Sequence, residues 1–140
     1  MAEGDWTEAR ELILRGTRRR RAKVLAPQAR LAAALAGREA LLACEELALR
    51  TRLDLDQQRH REAALQLLVA LDAAIAELQT DPAADALAPR LEELRRQREG
   101  TAGAAQSALA GPLTAAERES VEATLGSIEA ALRARTRVNA

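Results

Sequence analysis

The sequence LVALDAAIAELQTDP at residues 68–82 contains an apolar helix stripe and the signal that ends it. The large apolar residues of this segment recur with 3-4-3 spacing at Leu68, Leu71, Ile75 and Leu78. This spacing is typical of the seam of a coiled-coil helix. Thr80-Asp81-Pro82 then ends the pattern, because aspartate is a favoured N-cap and proline is tolerated only in the first turn of a helix. We therefore predict that the chain reverses direction here.

The segments on the two sides of this turn have similar lengths. Residues 28–79 contain no proline and only one glycine, and as a single helix they would extend about 78 Å. The return segment is interrupted at Gly111-Pro112, which divides it into helices over residues 82–110 and 114–135. We predict an all-α fold for a single domain of residues 1–140, with the two arms paired as a long antiparallel helical hairpin or coiled coil.

Both arms carry the apolar spacing that pairing requires. In the outgoing arm Leu35, Leu42 and Leu49 are one heptad apart, but Gln57 and His60 interrupt the same face farther on. If the arm bends near residues 54–61, the alternative is a compact four-helix bundle. In the return arm Thr114 and Glu117 have capping-box spacing. The apolar positions of that arm are Leu87, Leu91, Leu94, Val121, Leu125, Ile128 and Leu132.

The composition supports helices and argues against sheets. Ala and Leu account for 34 and 23 residues, whereas Ile and Val together number seven, and Phe and Tyr are absent. The single cysteine, Cys44, allows no intrachain disulfide and favours a reducing cytoplasm. We find no signal-peptide pattern and no apolar stretch long enough to span a membrane, so we expect a cytoplasmic protein.

Positive charge is concentrated near the ends of the chain, although the net charge is zero. A capped helix predicted over residues 5–25 carries Arg15, Arg18, Arg19, Arg20, Arg21 and Lys23. A second cluster near the C-terminus contains Arg133, Arg135 and Arg137. We interpret these residues as a docking surface for a protein partner. A single hairpin would bring both clusters to one end and place the acidic segment 72–85 at the other.

Other functions are less well supported by the residues present. Nucleic acid is the second choice of partner for the basic helix, because stacking aromatic residues are missing and the rest of the chain is net acidic. Cys44 and His60 would lie about 24 Å apart on one helix, so they cannot form a catalytic dyad. No metal-ligand or phosphate-loop motif is found. We predict a non-enzymatic protein without a cofactor.

An aromatic-poor, arginine- and alanine-rich hairpin with basic ends resembles the FliJ/YscO-type stalk proteins of type III secretion and flagellar export. The resemblance covers most of the chain and is architectural. It implies a coiled coil that inserts its terminal end into a hexameric export ATPase and contacts the export gate through other surfaces. The corresponding residues would be those from Arg15 to Lys23 and from Arg133 to Arg137. Pro27 and Gly111-Pro112 depart from the uninterrupted arms of that family.

Overall fold

The computed structural model describes residues 43–140, which are helical with short connections. Helix α1 includes residues 43–56, and it is followed by α2 (His60–Gln79), α3 (Ala84–Ala110) and α4 (Ala115–Val138). This part of the chain contains no strand, and the all-α prediction is confirmed. The choice between a long hairpin and a compact four-helix bundle for the full chain stays a prediction, because both are all-α. The predicted helix over residues 5–25 lies outside the described residues.

Each described helix is amphipathic and turns its apolar stripe toward the others. The predicted seam positions of α2, α3 and α4 that are at most 4% exposed are Leu71, Leu78, Leu87, Leu91, Leu94, Val121, Leu125 and Ile128. Helix α1 contributes smaller side chains at 4-3-4 spacing, namely Cys44, Ala48, Thr51 and Leu55. Because many core positions are alanine, the helix backbones can approach closely, and the interior needs no aromatic residue.

The helices pack in chain order. Helix α2 packs along α3, α3 packs along α4, and α2 also touches α4. Helix α1 lies against α2, where the Cys44 Sγ is 4.0 Å from the Ala70 carbonyl oxygen. It also contacts α4, where Arg52 donates from Nε and Nη2 to the Glu129 carboxylate at 3.1 and 3.0 Å. The chain therefore reverses at each of the three connections between these helices.

The prediction of one continuous helix over residues 28–79 is wrong, because the helix is interrupted at residues 57–59. Helix α1 ends in a Schellman motif: Arg59 N–H donates to the Asp54 carbonyl at 2.8 Å, and Gln58 N–H donates to the Leu55 carbonyl at 3.0 Å. Gln58 adopts φ 60°, the left-handed conformation that glycine normally supplies at this position. An Arg59–Asp54 ion pair stands where the motif usually has an apolar contact.

The turn between α2 and α3 falls at residues 80–83, where the sequence predicts a reversal. Its capping differs from the expectation, because the helix starts at Ala84 and Pro82 precedes it. Asp81 acts inside the turn: its Oδ1 accepts from the Ala83 N–H at 2.8 Å, and its carbonyl accepts from the Ala84 N–H at 2.9 Å. The aspartate thus shapes the turn by a local side-chain bond.

The third connection turns α4 back along α3. The predicted capping box is confirmed: Glu117 N–H donates to Thr114 Oγ1 at 3.2 Å, and Thr114 N–H donates to the Glu117 carboxylate at 2.8 Å. Farther along, Gln97 Nε2 on α3 donates to Ser127 Oγ on α4 at 3.0 Å. The prediction that α3 and α4 form one arm running in a single direction is therefore wrong.

Candidate functional site

Three of the nine predicted partner-binding residues lie in the described part of the chain, all on the last turns of α4. The other six, from Arg15 to Lys23, lie outside it. Arg133 and Arg137 are exposed and one helical turn apart, and neither forms an ion pair with another residue of the range 43–140. Arg135 projects from a different side of the helix. Of the predicted C-terminal cluster, two arginines are therefore exposed together, and the third, Arg135, points elsewhere.

Arg135 anchors the end of α4 to the turn between α2 and α3. Its Nε donates to Asp81 Oδ2 at 2.5 Å, and the two side chains are only 24% and 3% exposed. Burial opposes ionisation of Asp81, but the hydrogen bonds from Ala83 N–H and Arg135 outweigh it and lower the pKa of the carboxyl. Arg135 thus has a structural role within this part of the chain, and its assignment to a docking surface stays a prediction.

The contact between Asp81 and Arg135 also corrects the predicted charge distribution. A single hairpin would hold the acidic segment 72–85 and the C-terminal arginines at opposite ends. Because α4 turns back along α3, the C-terminal arginines instead lie beside Asp81. The prediction of a positive end opposite a negative tip is wrong for the C-terminal cluster.

A groove between α1 and α4 brings Arg133 together with apolar side chains. Its volume is about 330 Å³, and its lining residues are Glu45, Ala48, Leu49, Glu129, Leu132 and Arg133. Ala48 and Leu132 are buried in its floor, whereas Leu49 is 70% exposed at its edge. An apolar floor with charged groups at the rim suits a side chain or helix of a protein partner.

Leu49 and its neighbour Leu53 are exposed, which the sequence analysis did not predict. The heptad spacing placed Leu49 in the seam with the return arm, but the structure leaves Leu49 70% exposed and Leu53 51% exposed. The seam prediction is wrong at Leu49. A clearer signal was the second apolar series of the same helix, Cys44 to Leu55, which faces the core.

Neither Cys44 nor His60 has a reactive arrangement. Burial, together with smaller contributions from the carboxylates of Glu77 and Glu45, raises the pKa of the Cys44 thiol to about 12, so the thiolate nucleophile is suppressed. His60 is the first residue of α2, and its Nε2 lies 3.1 Å from Gln58 Oε1. Within residues 43–140 no group of three acidic, histidine or cysteine side chains is placed to hold a metal ion.

A larger groove of about 680 Å³ lies between α3 and α4, and none of the described residues that line it has a large apolar side chain. Ala86, Ala123, Gly126 and Ala130 line it, and these residues offer few side-chain atoms for contact. Glu93 and Arg96 at its rim form an ion pair with each other. The α1–α4 groove, which combines apolar floor, exposed leucine and exposed arginine, is therefore the better candidate site.

Comparisons of the chain with protein-family models, with curated proteins and with solved structures gave no match. None of the described helices is both long enough and apolar enough to cross a membrane.

Proposed function

We propose that this protein is a non-enzymatic helical adaptor or stalk protein that binds another protein through its arginine-rich segments. The observation that carries the proposal is the exposed pair Arg133 and Arg137, of which Arg133 lines the α1–α4 groove. The Arg135–Asp81 bond fixes this end of α4, so binding would require little ordering of the helix. We assign docking roles to Arg133 and Arg137 and, in the other part of the chain, to the basic residues from Arg15 to Lys23.

The charge distribution supports a protein partner over nucleic acid. Residues 43–140 contain 12 arginines and 16 acidic residues, a net charge of −4, whereas residues 1–42 carry +4. A partner attracted to the arginines must also tolerate the net negative charge of residues 43–140. The phosphate backbone of a nucleic acid would be repelled by this charge. A folded protein with an acidic patch of limited size meets both conditions.

The partner that we propose follows from the resemblance to FliJ/YscO-type stalk proteins. It is the hexameric ATPase of a type III secretion or flagellar export apparatus, with the export gate as a further contact. All-α architecture, basic segments and the absence of aromatic residues in the range 43–140 support this proposal. The localisation that it implies is cytoplasmic.

Capture of the export ATPase by the full-length chain tests the proposal. One variant reverses Arg18 to Arg21 to glutamate, and a second carries Arg133→Glu with Arg137→Glu. We expect each to lower the affinity at least about tenfold, because opposite charges now become like charges at the interface. The matched control is Arg90→Glu with Arg118→Glu, which changes the net charge as much as the second variant at exposed arginines of α3 and α4.

The outcomes separate the competing functions. Equal loss in the control variant would indicate a general charge effect and contradict the docking surface. Unchanged capture by all variants would contradict the assigned residues. Binding of generic DNA or RNA that weakens steeply with salt, and that is lost on reversing Arg18 to Arg21, would favour the nucleic-acid-associated alternative.

A further inference from the structure

We propose that α1 pairs in parallel with α1 of a second copy of this chain, through the face that carries Leu49 and Leu53. This surface shares Leu49 and Glu45 with the edge of the α1–α4 groove but includes none of the arginines assigned above, and the inference goes beyond the adaptor function. It concerns how two copies assemble.

Helix α1 has two apolar faces, and only one of them is used within the described part of the chain. Cys44, Ala48, Thr51 and Leu55 face the core and are at most 7% exposed. At 100° per residue, Leu49 and Leu53 lie about 130° and 170° around the helix from the centre of that core face. Two leucines exposed side by side on the outer face of a helix form an apolar patch that another helix can bind.

The spacing of the leucines indicates what covers this face. In the sequence, Leu35 and Leu42 precede Leu49 at intervals of seven, and Leu53 follows at an interval of four. This places the first three leucines at d positions of a heptad and Leu53 at the next a position. Identical copies of α1 paired in parallel and in register bring Leu49 and Leu53 each against its own counterpart. A second copy is therefore the occupant that the repeat fits best.

The charges beside the leucines are complementary in the same register. With Leu49 at d, Glu45 occupies a g position and Arg50 the following e position, five residues later. In a parallel pair these are the positions that form ion pairs between helices, so Glu45 of each copy faces Arg50 of the other. The Arg50 side chain is 62% exposed and forms an ion pair with Glu46 of its own helix. It is thus available to a second carboxylate.

Glu46 limits the strength of the dimer. It occupies the a position one heptad before Leu53, where a charged side chain weakens the seam and favours two strands over larger assemblies. The interface would consist of two leucines from each copy and two symmetric ion pairs between Glu45 and Arg50. An interface of this small size is typical of weak, reversible association. We therefore expect a dissociation constant of about 10 μM.

Sedimentation velocity of the full-length chain from about 1 to about 100 μM tests the inference. The wild type should change from monomer to dimer over this range, and Leu49→Glu or Leu53→Glu should raise the dissociation constant at least about tenfold. The matched control is Val69→Glu on α2, which places the same charge at a position that is 56% exposed and should leave the dimer unchanged. Because all three side chains are exposed, circular dichroism should show an unchanged helix content.

A charge exchange tests the parallel register. Glu45→Arg and Arg50→Glu should each weaken the dimer, and the double variant should recover most of the lost affinity because the pair is re-formed with its signs exchanged. A monomeric wild type at all concentrations would overturn the proposal, as would a dimer that tolerates Leu49→Glu. Failure of the double variant to recover affinity would overturn the parallel arrangement. None of these results depends on capture of the ATPase.

Discussion

The two ends of α2 reverse the chain by different chemistry. At its C-terminal end, residues 80–83 carry recognisable turn residues, and Asp81 is locked by Ala83 N–H and by Arg135. At its N-terminal end, residues 57–59 contain neither glycine nor proline, and Gln58 adopts φ 60°. The turn at residues 80–83 is stabilised by the contacts of Asp81, whereas the break at residues 57–59 holds Gln58 in the left-handed conformation at a local conformational cost. Substitutions at the two places should therefore have opposite effects.

The largest expected effect is at the turn between α2 and α3. Arg135→Ala should lower the free energy of unfolding by about 3 kcal/mol, because it leaves the nearly buried Asp81 carboxylate without its cationic partner. Urea unfolding measures the change. The matched control is Arg133→Ala, an exposed arginine two residues earlier, which should cost less than about 0.5 kcal/mol. Equal effects of the two substitutions would contradict the anchoring role of Arg135.

The same contact predicts a dependence on pH. The pKa of Asp81 is lower in the folded protein than its ordinary value of 3.8, so the unfolded chain binds the proton first as the pH falls. The stability from this carboxylate is therefore complete above about pH 4 and is lost as the pH falls below that value through the folded pKa. Urea unfolding from about pH 7 to about pH 3 should show a smaller decline in Asp81→Asn than in the wild type. Parallel curves for the two proteins would contradict the assignment.

The smallest expected effect, of opposite sign, is at the break between α1 and α2. Gln58→Gly should raise the free energy of unfolding by about 1 kcal/mol, because glycine adopts the left-handed conformation without the steric cost of a side chain. The control is Gln57→Gly, at the neighbouring position, where φ is not positive and glycine should be neutral or destabilising. A loss of stability in Gln58→Gly would indicate that the glutamine side chain, which lies beside His60, matters more than the backbone.

The sequence was most informative where one side chain determines local structure. Thr114 with Glu117 predicted the start of α4, and Thr80-Asp81-Pro82 predicted the reversal, because caps and turns act over three or four residues. The break at residues 57–59 falls within residues 54–61, where the sequence predicted a bend only as the alternative to a straight arm. A Schellman motif is normally recognised by its glycine, and here Gln58 takes that place.

The candidate site was harder to predict because it depends on the direction of α4. When both faces of a helix carry apolar residues, the sequence pattern alone does not show which face is buried. On α1 the buried face is that of Cys44, Ala48 and Thr51, and the leucines on the other face are exposed. Likewise, three arginines at alternate positions look like one cluster in the sequence. On a helix they point to different sides, and only packing against the turn at Asp81 singles out Arg135.

The burial of Cys44 gives this chain a built-in chemical reporter. It is the single thiol, it is 1% exposed where α1 meets α2, and its ionisation is suppressed. A thiol reagent can therefore modify the protein only after α1 has moved away from α2, whether by local detachment or by complete unfolding. The rate of modification, compared with the global unfolding rate, would reveal whether α1 opens on its own while α3 and α4 stay packed.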